Sequence, residues 1–269
     1  MQSSILQRKK QERISSTIGC AQGPFLFLIL VFLSGCATTY NPATGRNEAI
    51  FISTPSEVSI GNGAAAQIAK QYTLSTNTSD IQRLEEIGFK IANVSDRKDL
   101  EYKFYIIEDD KVNAFTIPGG HVYVFRGLYD LLTEDELAGV LAHEIGHVAA
   151  RHIVKKLQAS MGYQILSTIA VLAYSSDKES RQKKAAYAGY AGSTAFNLVM
   201  LGYSREDEYE ADRLAAKYTT LAGYPKKSMI NALLKLKAQE KKGTSVPYIF
   251  RSHPYMNQRI TRLEEFIAN

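Results

Sequence analysis

His143-Glu144-Ile145-Gly146-His147 sets two imidazoles four residues apart, with a carboxylate beside the first. Four residues of an α-helix turn through about 400°, so both rings return to nearly the same face and can reach one ion. Glu144 lies off that shared direction. It is free to hold a water that the metal activates, and this makes it the candidate general base. The chemistry implied is metal-assisted hydrolysis, with zinc, one ion per chain, as the expected cofactor. Serine catalysis is disfavoured because no Gly-x-Ser-x-Gly elbow occurs in the chain.

A hydrolytic zinc needs a third protein ligand and one open position. His152 is the first residue to test, but it follows His143 by nine positions, about 180° round a continuous helix. The glycine that breaks the helix in H-E-x-x-H-x-x-G-x-x-H is also missing, since Ala150 and Ile153 stand at its last two marked places. His152 is therefore expected to pack or to support another residue. Glu208, in Ser204-Arg205-Glu206-Asp207-Glu208-Tyr209-Glu210-Ala211-Asp212, is the better third ligand. Asp212 shares its helical face and can accept the outer N–H of a ligand histidine, orienting the ring. Glu206, Glu210 and His253 are the alternatives to Glu208.

These residues need rigid elements under them. Thr133 and Glu136 form a capping-box pair, and the apolar positions Leu137, Val140, Leu141, Ile145 and Val148 carry a helix past residue 150. Further helices are predicted over 56–72, 79–93, 204–222, 226–240 and 254–267. The last turn at 204–222 is closed by Gly223 and Pro225. Residues 101–108 read as a strand, and Val112–Ile117, Pro118-Gly119-Gly120 and His121–Phe125 as strand, turn and strand. The pattern predicts a mainly helical α+β domain with a small β-sheet beside the H-E-x-x-H helix. Residues 157–203, rich in Ala, Gly and Tyr, carry no clear signal. Their apolar stretch, 165–174, is too short to span a bilayer.

The start of the chain has other business. Arg8, Lys9, Lys10 and Arg13 precede the apolar run Phe25–Leu33 and then Leu33-Ser34-Gly35-Cys36, which reads as a signal peptide over 1–35. The last four residues resemble the bacterial lipobox, so Cys36 is the predicted lipidation site and new N-terminus. Residues 36–55, polar and turn-rich, are expected to tether that lipid to a domain over 56–269. About 230 of the 269 residues remain after cleavage, enough for one core. The first 36 residues carry three of the five net positive charges, leaving a balance that gives no reason to expect nucleic acid as a partner.

The two acidic and histidine motifs together resemble the zinc metallopeptidase family that includes the CAAX prenyl protease and the heat-shock protease HtpX. Supporting matches are Asn113-Ala114-Phe115 before Gly119-Gly120-His121-Val122-Tyr123-Val124, then Ala149-Ala150-Arg151-His152, Ser204-Arg205, Ser252-His253-Pro254 and Arg259-Ile260. They extend over about residues 55–265. Those relatives carry transmembrane helices, so this chain is similar rather to a soluble, lipid-anchored periplasmic branch. The resemblance implies a gluzincin-like domain with His143, His147 and Glu208 on zinc. It implies an edge strand at Asn113, Ala114 and Phe115 for extended substrate backbone. It also offers His253 as a catalytic group that stabilises the oxyanion, against the alternative of a histidine opening a helix before Pro254. His121 is read as a strand position.

The expected function is endopeptidase action on misfolded or unassembled envelope proteins, in quality control, with the protein anchored to a membrane in the bacterial periplasm. Ala37 after the cysteine favours the outer membrane. The competing reading is a non-catalytic, chaperone-like assembly factor, against which an intact Glu144 argues; a third is hydrolysis of a non-peptide amide.

Overall fold

The computed structural model describes residues 38–160, 178–240 and 249–268. The signal segment, Cys36 and the apolar stretch 165–174 lie outside the described residues. In chain order the elements are β1 (Thr38–Asn41), β2 (Arg46–Ala49), α1 (Thr54–Gln71), α2 (Thr78–Ala92), β3 (Lys103–Ile107), β4 (Ala114–Ile117), β5 (His121–Phe125), α3 (Arg126–Leu131) and α4 (Glu134–Ala149). They continue as α5 (Lys178–Met200), α6 (Arg205–Leu221), α7 (Ser228–Glu240), α8 (Ile249–Ser252) and α9 (Met256–Ala268). The domain is mainly helical around one small sheet, as predicted.

That sheet has the order β3-β5-β4, with β3 parallel and β4 antiparallel to β5. The β4–β5 connection is the predicted Pro118-Gly119-Gly120 turn, where Gly119 and Gly120 stand at φ +81° and +86°. Only glycine adopts such angles without strain. Successive side chains point to opposite faces. Phe104, Ile106, Val122 and Val124 therefore enter a core with α2, α4, α6, α7 and α9. Phe115, Ile117, Tyr123 and Phe125 enter a second core with α1, α5 and residues 153–157.

Two helices carry most of the chemistry. Helix α4 begins at the predicted capping box, in which Thr133 Oγ1 accepts from Glu136 N and Glu136 Oε2 accepts from Thr133 N at 2.8 Å. Helix α6 starts with a second one, between Ser204 and Asp207, that the sequence reading missed. The helices cross closely at Gly146, where a Cβ would sit 3.0 Å from Ala211 O. That contact brings Glu208 within reach of the α4 histidines.

Two expectations need correction. The helix past residue 150 is not continuous: α4 ends at Ala149, Arg151 takes φ +55°, and a new helical run covers 152–160. Arg151 is held in this unfavourable conformation by Thr54 Oγ1 at 3.0 Å and Glu57 Oε2 at 3.4 Å. The tether is also folded from Tyr40 onward. Ala43 N donates to Asn41 Oδ1, Gly45 turns the chain at φ +68°, and the N–H groups of Phe51 and Ile52 both donate to Gln158 Oε1. Glu48 pairs with Lys155 at 3.0 Å. Strands of four mostly exposed residues show no alternation for a sequence reading to find.

Candidate metal centre

Helix α4 is buried along nearly its whole length, so His143, Glu144 and His147 sit in the interior at 1–2% exposure. Glu208 arrives from α6 and His253 from the connection between α8 and α9. His143 Nε2 lies 3.0 Å from His147 Nε2 and 3.3 Å from His253 Nδ1. Glu208 oxygens lie 3.5 Å from each of the two α4 rings and 3.1 Å from His253 Nδ1. A tetrahedral zinc with bonds of about 2.0–2.1 Å separates its ligand atoms by about 3.3–3.4 Å. The spacing of this group fits such an ion. So does its chemistry, three nitrogens and a carboxylate, with a buried Glu144 Oε2 that has no hydrogen-bond partner among the described residues.

The supports of the donors are as specific as the donors. Asp212 Oδ1 stands 2.9 Å from His143 Nδ1, the contact the Glu208–Asp212 spacing predicts. Arg259, to which the sequence reading gave no role, binds both α6 carboxylates. Its Nε and Nη2 reach Asp212 at 2.8 and 2.7 Å, and its Nη1 reaches Glu208 at 2.7 Å. It is 1% exposed. Tyr203 was missed altogether; its ring stacks on His147 with centroids 3.8 Å apart. Neither residue belongs to a spacing that flags it.

Other predicted positions divide. His152 lies outside the donor group and reaches His147, Nδ1 to Nδ1, at 2.7 Å, the supporting place expected of it, although the helix break and not a continuous turn puts it there. His121 is a β5 residue stacked on Tyr105 and bonded to Asn62 at 3.2 Å, away from the donor group. Asn113 precedes β4, which is an edge strand of the sheet, yet Asn113, Ala114 and Phe115 are all fully buried. Ile249 N donates to Val112 O, and Ser252 Oγ donates to Asn113 Oδ1, so the segment leading into His253 lies against this edge. His253 Nε2 faces Glu144 Oε1 at 3.4 Å.

The electrostatics follow from burial and pairing. Burial pushes the Glu144 carboxyl up despite nearby His253 and His143. Burial would also raise Glu208 and Asp212, but Arg259 and the facing histidines together outweigh it and both lie below the ordinary carboxylate range. Burial drives His147 well below its usual value. For His143 burial and Arg259 act downward, but Asp212 and Glu208 prevail and raise it to about 9.

A model of peptidase family M48 matches residues 78–267. The chain belongs to peptidase family M48. The described group of His143, His147, Glu208 and His253 can hold a metal ion. Among M48 relatives, the beta-barrel assembly-enhancing protease of Yersinia pestis is 26% identical over 82% of this chain and 46% of its own length. Metalloprotease YcaL of Escherichia coli (strain K12) is 27% identical over 88% of this chain and 93% of its own. Metalloprotease LoiP of the same organism is 27% identical, over 70% and 71%. The chain thus spans about half the length of the first relative and nearly all of the second. Among its described residues no helix is long and apolar enough to cross a membrane.

A pH dependence follows for this M48 centre. A ligand imidazole must be neutral, while metal-free His143, at about 9, holds a proton at pH 7. Metal uptake at pH 7 should therefore release about one proton, and apparent affinity should climb roughly tenfold per pH unit until pH 9. Metal titrations from pH 6.5 to 9.5 in weakly buffered dye read both quantities. Flat affinity across that range would contradict the assignment of the raised value to His143.

Proposed function

We propose that this M48 protein is a zinc-dependent endopeptidase that degrades misfolded or unassembled proteins of a bacterial envelope. The observation that carries the reading is the convergence of His143 Nε2, His147 Nε2 and the two oxygens of the Glu208 carboxylate at zinc-like spacing, with Glu144 beside them and not among them. Zinc bound there supplies Lewis-acid activation of water and polarises the scissile carbonyl. Glu144 takes the water's proton and passes it to the leaving amine. His253 stands beside the other donors, and with a metal held by His143, His147 and Glu208 it would be within reach to steady the oxyanion. Substrate backbone would then add to the β4 edge at Asn113, Ala114 and Phe115.

The test is zinc content and casein degradation by purified protein. The parent should hold about one zinc and cleave, whereas His143, His147 or Glu208 replaced by Ala should lose most of the metal. A Glu208→Ala protein that binds zinc as tightly as the parent would exclude Glu208 as a ligand. The chaperone-like reading is opposed by Glu144 itself, a buried carboxyl whose Oε2 has no hydrogen-bond partner among the described residues.

The envelope assignment rests on the signal-like start, the lipobox-like Cys36, and a relative whose name refers to beta-barrel assembly. An unassembled outer-membrane barrel is the substrate class these favour, and a lipid on Cys36 the anchor. Metabolic labelling with a fatty acid should mark the parent and not Cys36→Ser. Equal labelling of the two would end the lipoprotein reading.

A further inference from the structure

Of the four acidic residues that alternate along the start of α6, Glu206, Glu208, Glu210 and Asp212, two have work at the donor group, Glu208 and Asp212. Glu210 points elsewhere, and so does the histidine that the break at Arg151 turns inward. His147 presents Nε2 to the other donors, so its lone pair lies there and its ring proton sits on Nδ1. A hydrogen-bond partner for that proton is His152 Nδ1, at 2.7 Å and 1% exposed. A nitrogen that accepts must carry no proton, so the His152 proton is on Nε2. Nε2 in turn lies 3.2 Å from Glu210 Oε2, with Asp207 Oδ1 at 3.5 Å. Each ring N–H of this His147–His152–Glu210 series meets an acceptor.

We propose that His152 and Glu210 are positioning residues for His147, forming a relay of carboxylate, imidazole and imidazole behind the metal. The proposal rests on the reading of His147 as a ligand. The two ligand histidines are then served differently: His143 by Asp212 directly at 2.9 Å, His147 by Glu210 through His152. Outer partners of this kind fix the tautomer and the angle of the ring and raise its basicity. The relay also accounts for Arg151. Without its φ of +55° the helix would continue and His152 would face away, so the strained turn is what brings the relay into register. Arg46 at 2.7 Å from the other Glu210 oxygen holds the far end.

The experiment measures zinc affinity by chelator competition, and the absorption of the cobalt-substituted protein, in parent, His152→Leu, His152→Gln and Glu210→Gln. Leu keeps the bulk of His152 but accepts nothing; Gln keeps an oxygen that can accept the His147 N–H. His152→Leu should weaken zinc binding about 10- to 100-fold and shift the cobalt bands. His152→Gln should restore most of the affinity. Glu210→Gln should weaken binding in the parent and add nothing in His152→Leu, since it acts only through that ring. Parent-like affinity in a folded His152→Leu overturns the relay, as does a His152→Gln protein no better than Leu, because packing alone would give both results. If His152→Leu does not fold, Glu210→Gln decides: weaker zinc binding with a normal fold sustains the relay, and unchanged binding overturns it. A parent that takes up no zinc, or a His147→Ala protein that binds it unchanged, overturns the metal-centre reading and the relay together.

Discussion

Glu144→Gln should leave zinc content and thermal stability near those of the parent and lower kcat by about 10²- to 10⁴-fold, the range that a positioned general base contributes. The size of the loss comes from what the substitution changes and what it spares. Gln fills the same buried volume at a site 1% exposed, and its amide can still meet His253 Nε2, now 3.4 Å from Oε1. What disappears is the ability to take a proton. Oε2 has no competing hydrogen bond among the described residues, so the parent carboxylate is not tied down by another duty. Burial already raises its affinity for a proton, which matches a group that must collect one from activated water near neutrality. A Glu144→Gln enzyme that cleaves casein at the parental rate would remove Glu144 from the mechanism. One that has lost its zinc would instead make Glu144 a structural part of the centre.

Much of that centre was legible in the sequence because its parts lie on helices, where spacing is geometry. His143 and His147 are one helical step apart, Glu208 and Asp212 another, and the capping box at Thr133 and Glu136 fixes where the first helix starts. The β4–β5 hairpin was legible for a similar reason, since two adjacent glycines announce a turn. Three features were not. The break after Ala149 falls at Arg151, a residue type that gives no sign of positive φ, and depends on contacts with Thr54 and Glu57 about a hundred residues earlier. The same break is why the expected supporting role of His152 could not be tied in advance to His147. Fourth-donor geometry for His253 depends on how the α8–α9 connection packs, and no local pattern encodes that. Arg259 follows Asp212 by 47 residues, and only tertiary structure brings its guanidinium between two α6 carboxylates.

Arg259→Met should cost the metal-free protein about 3–5 kcal/mol of stability at pH 7, the usual penalty for removing one partner of a buried charged group. Methionine replaces much of the packing volume, so the cost is chiefly electrostatic. Glu208 and Asp212, at 0% and 2% exposure, would be left as two buried carboxylates with the single charge of protonated His143 between them. Linkage gives the prediction a second signature. In the parent both carboxyls have folded-state values below their unfolded ones, so their contribution is present above about pH 4 and is lost as pH falls through the folded values. Without Arg259 the depression shrinks, and the acid-side decline in stability should flatten. Zinc offers a third. A dication beside Glu208 supplies part of the missing positive charge, so the deficit should be smaller in zinc-loaded than in metal-free protein. Urea unfolding at several pH values, with and without zinc, separates these effects. Equal stability of Arg259→Met and parent at pH 7 would mean that the guanidinium is not what holds the two carboxylates in place.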